Sequence, residues 1–124
     1  MNSKFSLIIR IIFGLFLLFF GANKIFGFMD PPPPPSPEAI AYWTALGAVH
    51  TMTLVAIVEI VAGLSLLLNK YVGLTMLVLL SVSVNAVLYH LEFDPETIIM
   101  AGVLLLLNLV VIFTHKDEYK GLLS

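Results

Sequence analysis

The residues best suited to chemistry are charged and polar side chains that interrupt long apolar segments. Glu59 lies in the middle of the apolar segment 51–68, and Lys24 lies near the end of the first apolar segment. If these segments cross a membrane as helices, Glu59 lies about 12 Å from the start of its own segment, too deep for a short carboxylate to reach water unaided. A charge in lipid costs about 2.5 kcal/mol or more unless it is paired or solvated. We therefore predict an ion pair between Lys24 and Glu59.

A second set of polar side chains follows helical spacing on the third apolar segment. Ser81, Asn85 and Tyr89 are four residues apart, which places them on one face of a helix. Asn85, Tyr89 and His90 are predicted to lie in the outer half of the membrane, as are Lys24 and Glu59. The predicted cluster comprises Lys24, Glu59, Asn85, Tyr89 and His90.

Two interpretations of this cluster stay open. In the first, it forms a pocket between helices in the outer half of the membrane, where ionisable groups bind a polar head or pass a proton. In the second, one ion pair and several hydrogen bonds fix the helix register. His50 and His90 are far apart in the sequence and lack the close spacing of metal ligands, so no metal site is predicted.

Arg10 and Asn108 form a predicted polar pair in the inner half of the bilayer. Their expected roles are structural, through hydrogen bonding and, for Arg10, snorkelling of its charged end toward water.

The composition limits the class of protein. Of the 124 residues, 60% are hydrophobic and 11% are charged, against about 25% charged in soluble domains. The net charge is -2, so no basic surface for nucleic acid is expected. There is no cysteine, which excludes disulfides and thiol chemistry.

Four apolar segments are long enough to cross a bilayer as helices, which takes about 20 residues. They are residues 5–28, 51–68, 71–91 and 97–114. Backbone groups in lipid must be satisfied internally, and strands of a membrane barrel need only about 10 residues. The sequence predicts an all-α integral membrane protein, an antiparallel four-helix bundle that occupies residues 1–124 as a single domain.

Short links separate the last three segments, so neighbouring helices must run antiparallel. The links are residues 69–70 and 92–96. In the second link, Asp94 is a predicted helix cap, Pro95 suits the first helical position, and Glu96 complements the positive helix end.

The same capping pattern recurs at residues 36–38, after a proline-rich outer loop at 29–36. It predicts a short interfacial helix over about residues 37–47, between the first two spans. Tyr42 and Trp43 on that helix suit the headgroup layer.

Small residues follow the polar faces of the first two spans. Steps of three and four residues define one such face, which comprises Arg10, Gly14, Leu17, Gly21 and Lys24. Gly63 follows Glu59 by four residues on the second span. We predict that the two helices approach closely along these glycines.

The basic residues predict the orientation of the chain. Lysines outside the spans fall on one side, at Lys4, Lys70, Lys116 and Lys120. The opposite loops carry acidic residues and no Lys or Arg, so both termini are predicted to be cytoplasmic.

The sequence resembles the DoxX family of small four-helix membrane proteins, over about residues 5–114. The residues that carry the likeness are Arg10, Gly14, Gly21, Lys24, Glu59, Gly63 and the run His-Leu-Glu-Phe-Asp-Pro at 90–95. The resemblance implies a compact bundle in the bacterial inner membrane. Members include a subunit of an archaeal thiosulfate to quinone oxidoreductase, components linked to redox maturation or oxidative-stress defence, and eukaryotic factors for receptor assembly. The lack of cysteine makes thiol-dependent members poor guides.

Three functional hypotheses follow, and the sequence does not choose among them. The first is an accessory or binding subunit that holds a lipid, a quinone or a partner helix in the outer-half pocket. The second is a membrane oxidoreductase subunit with a quinone as cofactor and Glu59 or His90 handling its protons. The third is an assembly factor without a ligand. The expected partners are membrane lipid and a second copy or larger membrane complex, not nucleic acid.

Overall fold

The structure is a computed structural model that describes residues 3–122. Those residues form α-helices and short 3-10 helices, and no strand is found among them. The α-helices are α1 (Ser3–Phe26), α2 (Pro37–Ala48), α3 (Thr51–Leu68), α4 (Val72–Phe93) and α5 (Ile99–Thr114). The 3-10 helices are Pro95–Thr97 and Lys116–Leu122.

Three of these helices, α1, α3 and α4, are each long and apolar enough to cross a membrane. Helix α5 has 16 residues and meets the 3-10 helix Lys116–Leu122 at a bend of 74°. The number of candidate spans among the described residues rises to 4 if that bent pair is counted as one. The all-helical class and the multi-pass membrane character are therefore confirmed.

Helix α1 ends at Phe26, two residues before the predicted end. Gly27 adopts the left-handed conformation, with φ of 68°, and its N–H donates to the carbonyl of Asn23 at 2.8 Å. A left-handed glycine is a common helix terminator because it lacks the Cβ that makes this conformation costly. The side chain of Asn23 also accepts from the Met29 N–H at 2.8 Å, which holds the exit of the chain.

The turn between α3 and α4 is one residue longer than predicted, and two of its residues have a left-handed backbone. Asn69 and Tyr71 both have positive φ, at 54° and 57°. The prediction that Tyr71 begins the third span is wrong, because its left-handed backbone leaves Val72 as the first helical residue. At the other end, α4 continues to Phe93, two residues beyond the predicted end.

The prediction that Asp94 caps the fourth span is also wrong. Its carboxylate accepts from the hydroxyl of Thr97 at 2.7 Å rather than from a backbone N–H of the helix. Residues Pro95–Thr97 form a 3-10 turn, and α5 begins at Ile99 instead of Thr97. The side-chain contact closes the turn locally and delays the α-helix by two residues.

Helix α2 confirms the predicted helix after the proline-rich loop and extends one residue further, to Ala48. The Ser36 hydroxyl oxygen accepts from the Ala39 N–H at 3.1 Å, and Pro37 occupies the first turn. This is the N-cap arrangement that the sequence pattern indicated.

Helices α1 and α3 pack closely because glycines face each other across their contact. A Cβ built on Gly63 would lie 2.9 Å from the backbone oxygen of Gly14. A Cβ built on Gly21 would lie 3.1 Å from the backbone oxygen of Ala56. The first distance is shorter than real Cβ atoms show, and the second is tighter than most real Cβ contacts, so the predicted close approach of the two helices is confirmed.

The core lies between α1, α3, α4 and α5. Its buried hydrophobic cluster comprises Phe13, Leu17, Ala62, Leu66, Val72, Met76, Leu79, Leu104 and Val111. Large apolar side chains on the outer helix faces are exposed, as a lipid-facing surface requires.

Arg10 and Asn108, expected as an inner polar pair, have separate partners. Arg10 donates to the carbonyl of Leu66 at 2.7 Å, in the last turn of α3, where carbonyls have no intrahelical donor. Asn108 is completely buried; it accepts from the Ser83 hydroxyl at 2.7 Å and donates to the Met76 carbonyl at 3.0 Å. Each residue therefore satisfies backbone or side-chain groups of a neighbouring helix.

Candidate functional site

The structure brings Lys24 and Glu59 together across α1 and α3. Lys24 Nζ lies 2.7 Å from Glu59 Oε1, and the two side chains are 25% and 4% exposed. No other hydrogen-bond partner of Oε1 is found among residues 3–122. The pair is therefore a largely buried ion pair in which the carboxylate depends on Lys24 for its neutralisation.

A cavity of about 460 Å³ lies between the helices beside this pair. All five α-helices contribute to its wall, and Lys24, Glu59, Asn85, Tyr89 and His90 all line it. Its other walls are mainly apolar and aromatic. They are formed by Phe16, Phe20, Tyr42, Trp43, Leu46, Thr51, Met52, Val55, Ser81, Val82, Ala86, Met100, Ala101 and Leu104.

Helix α2 covers one end of the cavity with two aromatic side chains. Trp43 Nε1 donates to the Tyr89 hydroxyl oxygen at 2.8 Å, and the Tyr42 hydroxyl oxygen accepts from Asn85 Nδ2 at 3.3 Å. The rings of Tyr42 and Trp43 lie 5.1 Å and 5.2 Å from the ring of Tyr89, centroid to centroid. These contacts fasten α2 to α4, and we call Tyr42, Trp43 and Tyr89 the aromatic roof.

His90 lies next to the aromatic roof and has a defined tautomer. Its Nδ1 is 3.1 Å from the carbonyl oxygen of Asp94, which can only accept, so Nδ1 carries the hydrogen. The Thr97 hydroxyl, 3.2 Å from Nδ1, is a second acceptor because its own hydrogen goes to the Asp94 carboxylate. In a neutral ring Nε2 is then an acceptor, and it has no partner among residues 3–122.

A second cavity, of about 630 Å³, adjoins the first at the same end of the molecule. The two share Lys24, Trp43, Met52, Tyr89 and His90 in their walls. The proline-rich loop, at Pro31 to Pro34, forms part of the second wall. The loop therefore borders the approach to the first cavity.

His50 stands apart from these groups. It has a left-handed backbone, with φ of 58°, at the exposed junction of α2 and α3. Among residues 3–122, no group of three or more His, Cys, Asp or Glu side chains is placed to hold a metal ion. The described residues of the cavity offer hydrogen-bonding and ionic groups, not a ligand set for a metal.

Sequence reasoning placed Tyr89 in the site but missed Tyr42 and Trp43. These two residues were predicted only to suit the headgroup layer, and the structure shows that both also pack on Tyr89 and line the cavity. The usable signal was the pair of adjacent aromatic residues on a helix too short to span a membrane. The apolar wall residues Phe16, Phe20 and Leu104 carry no signal that separates them from other apolar residues of their helices.

The arrangement is suited to binding an amphipathic molecule. The apolar wall can take a hydrocarbon chain, and the polar groups at one side can orient a head, which is the usual composition of a small-molecule site. The walls also contain two groups able to exchange protons, Glu59 and His90.

Comparison with known protein families identifies the family of this chain. The DoxX family model matches residues 5–91, and the chain belongs to the DoxX family. The matched part contains most of α1, all of α2 and α3 and most of α4, and it stops short of α5. It includes Arg10, Lys24, Glu59 and Gly63. The likeness predicted from the sequence extended further, to residue 114. Searches of curated proteins and of solved structures each gave no match.

Proposed function

We propose that this DoxX protein is an accessory or binding subunit that holds a membrane amphiphile, a lipid or a quinone, in the cavity between its helices. The single observation that carries the proposal is the position of the ion pair. Glu59 is almost fully buried, yet it lies on the wall of a cavity of about 460 Å³ instead of in close-packed core. A pair that served only as packing would be better placed among tightly packed side chains.

The polar head of the amphiphile would lie at Lys24, Glu59 and His90, with Asn85 supplying a further hydrogen bond. Its chain would lie against Phe20 and the other apolar wall residues. His90 Nε2 supports this placement, because it has no hydrogen-bond partner among residues 3–122 and can accept a hydrogen bond from the head.

We also propose the arrangement in the membrane. Helix α5 is the fourth span, both termini are cytoplasmic, and α2 lies at the outer interface of the bacterial inner membrane. The lysines at Lys70, Lys116 and Lys120 support this orientation, since cytoplasmic loops retain basic residues. The cavity would then open toward the outer leaflet.

A filled-cavity variant tests the proposal. Ala86 lines the cavity and is half-buried, so Ala86→Phe would occupy the space of a ligand. Gly102 on α5 is the matched control, because no heavy atom lies within 4 Å of a Cβ built there. Each protein is extracted in mild detergent, and the bound amphiphile is quantified by mass spectrometry of the organic extract.

We expect about one amphiphile per chain for the natural protein and for Gly102→Phe, and strong depletion for Ala86→Phe. Equal amounts of bulk membrane lipid on all three proteins would refute the proposal. If the retained molecule is a quinone whose turnover requires Glu59, the chain is an oxidoreductase subunit. If nothing is retained and a partner protein is captured instead, it is an assembly factor.

A further inference from the structure

The charge balance of the cavity limits what it can hold. Lys24 and Glu59 are the only Lys, Arg, Asp or Glu side chains among its described lining residues, and at 2.7 Å they neutralise each other. An anionic head would draw Lys24 away and leave a carboxylate that is 4% exposed without a counter-ion. Breaking a buried pair in this way is strongly unfavourable. The interior of the cavity therefore favours an uncharged head.

The approach to the cavity offers an anionic head little further attraction. The charged side chains on the described wall of the second cavity are Asp94 and Lys24, and Lys24 already neutralises Glu59. The connecting segments 27–50 and 92–98 contain five carboxylates and no Lys or Arg. An excess of negative charge near a cavity lowers the local concentration of anionic ligands. Phosphate-bearing and carboxylate-bearing amphiphiles are thus disfavoured outside the cavity as well as inside it.

One acceptor on the cavity wall lacks a donor. His90 Nε2 has no partner among residues 3–122, because the ring points its Nδ1 hydrogen at Asp94 and Thr97. A head that donates a hydrogen bond would satisfy this acceptor.

Donors are present as well, on the aromatic roof. The Tyr89 hydroxyl oxygen accepts from Trp43, and the Tyr42 hydroxyl oxygen accepts from Asn85. Neither hydroxyl hydrogen has an acceptor in the described part of the chain. A hydroxyl group on a ligand both donates and accepts, so it can donate to His90 and accept from Tyr42 or Tyr89.

We propose that the cavity selects an uncharged amphiphile with a hydroxyl-bearing head over an anionic one of equal chain length. The head lies between His90 and the Lys24–Glu59 pair, and the chain follows Phe16 and Phe20. This inference rests on the proposed binding function and adds the chemical class of the ligand.

A set of three probes with the same oleoyl chain separates the contribution of the hydroxyl groups to binding from that of the charge. Monoolein is uncharged and carries two hydroxyls, its dimethyl ether is uncharged without hydroxyl hydrogens, and oleoyl lysophosphatidic acid is anionic. Trp43 is the single tryptophan of the chain and lines both cavities, so its fluorescence reports binding directly. The full-length protein in mild detergent is titrated with each probe.

We expect monoolein to bind about fivefold more tightly than its dimethyl ether, the factor expected for one hydrogen bond of ordinary strength. Lysophosphatidic acid is expected to bind more weakly than either. His90→Phe should weaken monoolein binding to the level of the ether and leave ether binding unchanged. His115→Phe is the matched control, since His115 contacts Thr114 and Val111 and lines neither cavity.

The outcomes are distinguishable. Equal or tighter binding of lysophosphatidic acid, or equal binding of monoolein and its ether, would overturn this inference and leave the proposed function intact. Failure of all three probes to change Trp43 fluorescence, together with no retained amphiphile, would overturn the proposed function as well. The comparison of monoolein with its ether uses the natural chain, so it stands even if His90→Phe does not fold.

Discussion

Replacing Lys24 and Glu59 singly and together measures how strongly the ion pair is coupled. Glu59 is the more buried partner, at 4% exposure against 25% for Lys24. Lys24→Met therefore leaves a carboxylate without a counter-ion in the interior. Glu59→Gln leaves an ammonium group near the end of α1, 3.5 Å from the carbonyl oxygen of Phe20. The two single substitutions should therefore lower the free energy of unfolding by different amounts.

The expected magnitudes follow from that difference. Removing one partner of a buried pair costs about 3–5 kcal/mol when the other is stranded, and we expect about 3 kcal/mol for Lys24→Met. For Glu59→Gln we expect about 1 kcal/mol, because the long Lys24 side chain can snorkel toward water. The double variant carries no charge at the site and should lose about 1 kcal/mol. The coupling energy of the pair is then about 3 kcal/mol.

The assay is reversible unfolding in mixed micelles, in which added dodecyl sulfate unfolds the helices and circular dichroism follows the loss. A second cycle on Lys120 and Asp117 is the matched control. That pair lies 3.3 Å apart, with side chains 79% and 78% exposed, and should show no measurable coupling. Equal costs for the two single changes at the buried pair, with a coupling as small as that of the control pair, would refute the reasoning.

Three further variants test the packing in the same unfolding assay. Gly63→Ala places a Cβ 2.9 Å from the backbone oxygen of Gly14, so α1 and α3 must separate; we expect a loss of about 1–3 kcal/mol, and none would contradict the close contact. Asn108→Leu removes two buried hydrogen bonds, and we expect a loss of about 1 kcal/mol; a gain would show that packing outweighs them. Arg10→Met removes the donor to the Leu66 carbonyl, and we expect a loss of about 1.5–3 kcal/mol; an unchanged midpoint would mean that water replaces it.

Much of the fold was predictable because a lipid bilayer restricts the backbone conformations that a spanning segment can adopt. Helix α3 matches its predicted bounds, since an apolar run between polar turns leaves the backbone little choice in lipid. The close contact of α1 and α3 was also predictable, because Gly14, Gly21 and Gly63 follow helical spacing on their faces. The contact between Lys24 and Glu59 followed from the cost of burying either charge alone.

The turns and the packing of α2 on Tyr89 were not predictable from pattern alone. Asp94 satisfied every sequence criterion for a helix cap, but its carboxylate bonds the Thr97 hydroxyl, a competition that depends on side-chain geometry. Tyr71 has a left-handed backbone that nothing in its residue type favours. The packing of Tyr42 and Trp43 on Tyr89 depends on how α2 folds back over α4, which no local spacing encodes.

The most direct test of the binding site is competition photolabelling in native membranes. A monoacylglycerol with a photoreactive group in its chain is added to vesicles, with or without excess unreactive monoolein, and labelled residues are mapped by mass spectrometry. We predict labels on Phe20, Met52 and Leu104 that the competitor suppresses, and labels on exposed residues such as Leu15 and Val103 that it does not. Labels confined to the exposed residues, or equal suppression at all positions, would contradict a specific site between the helices.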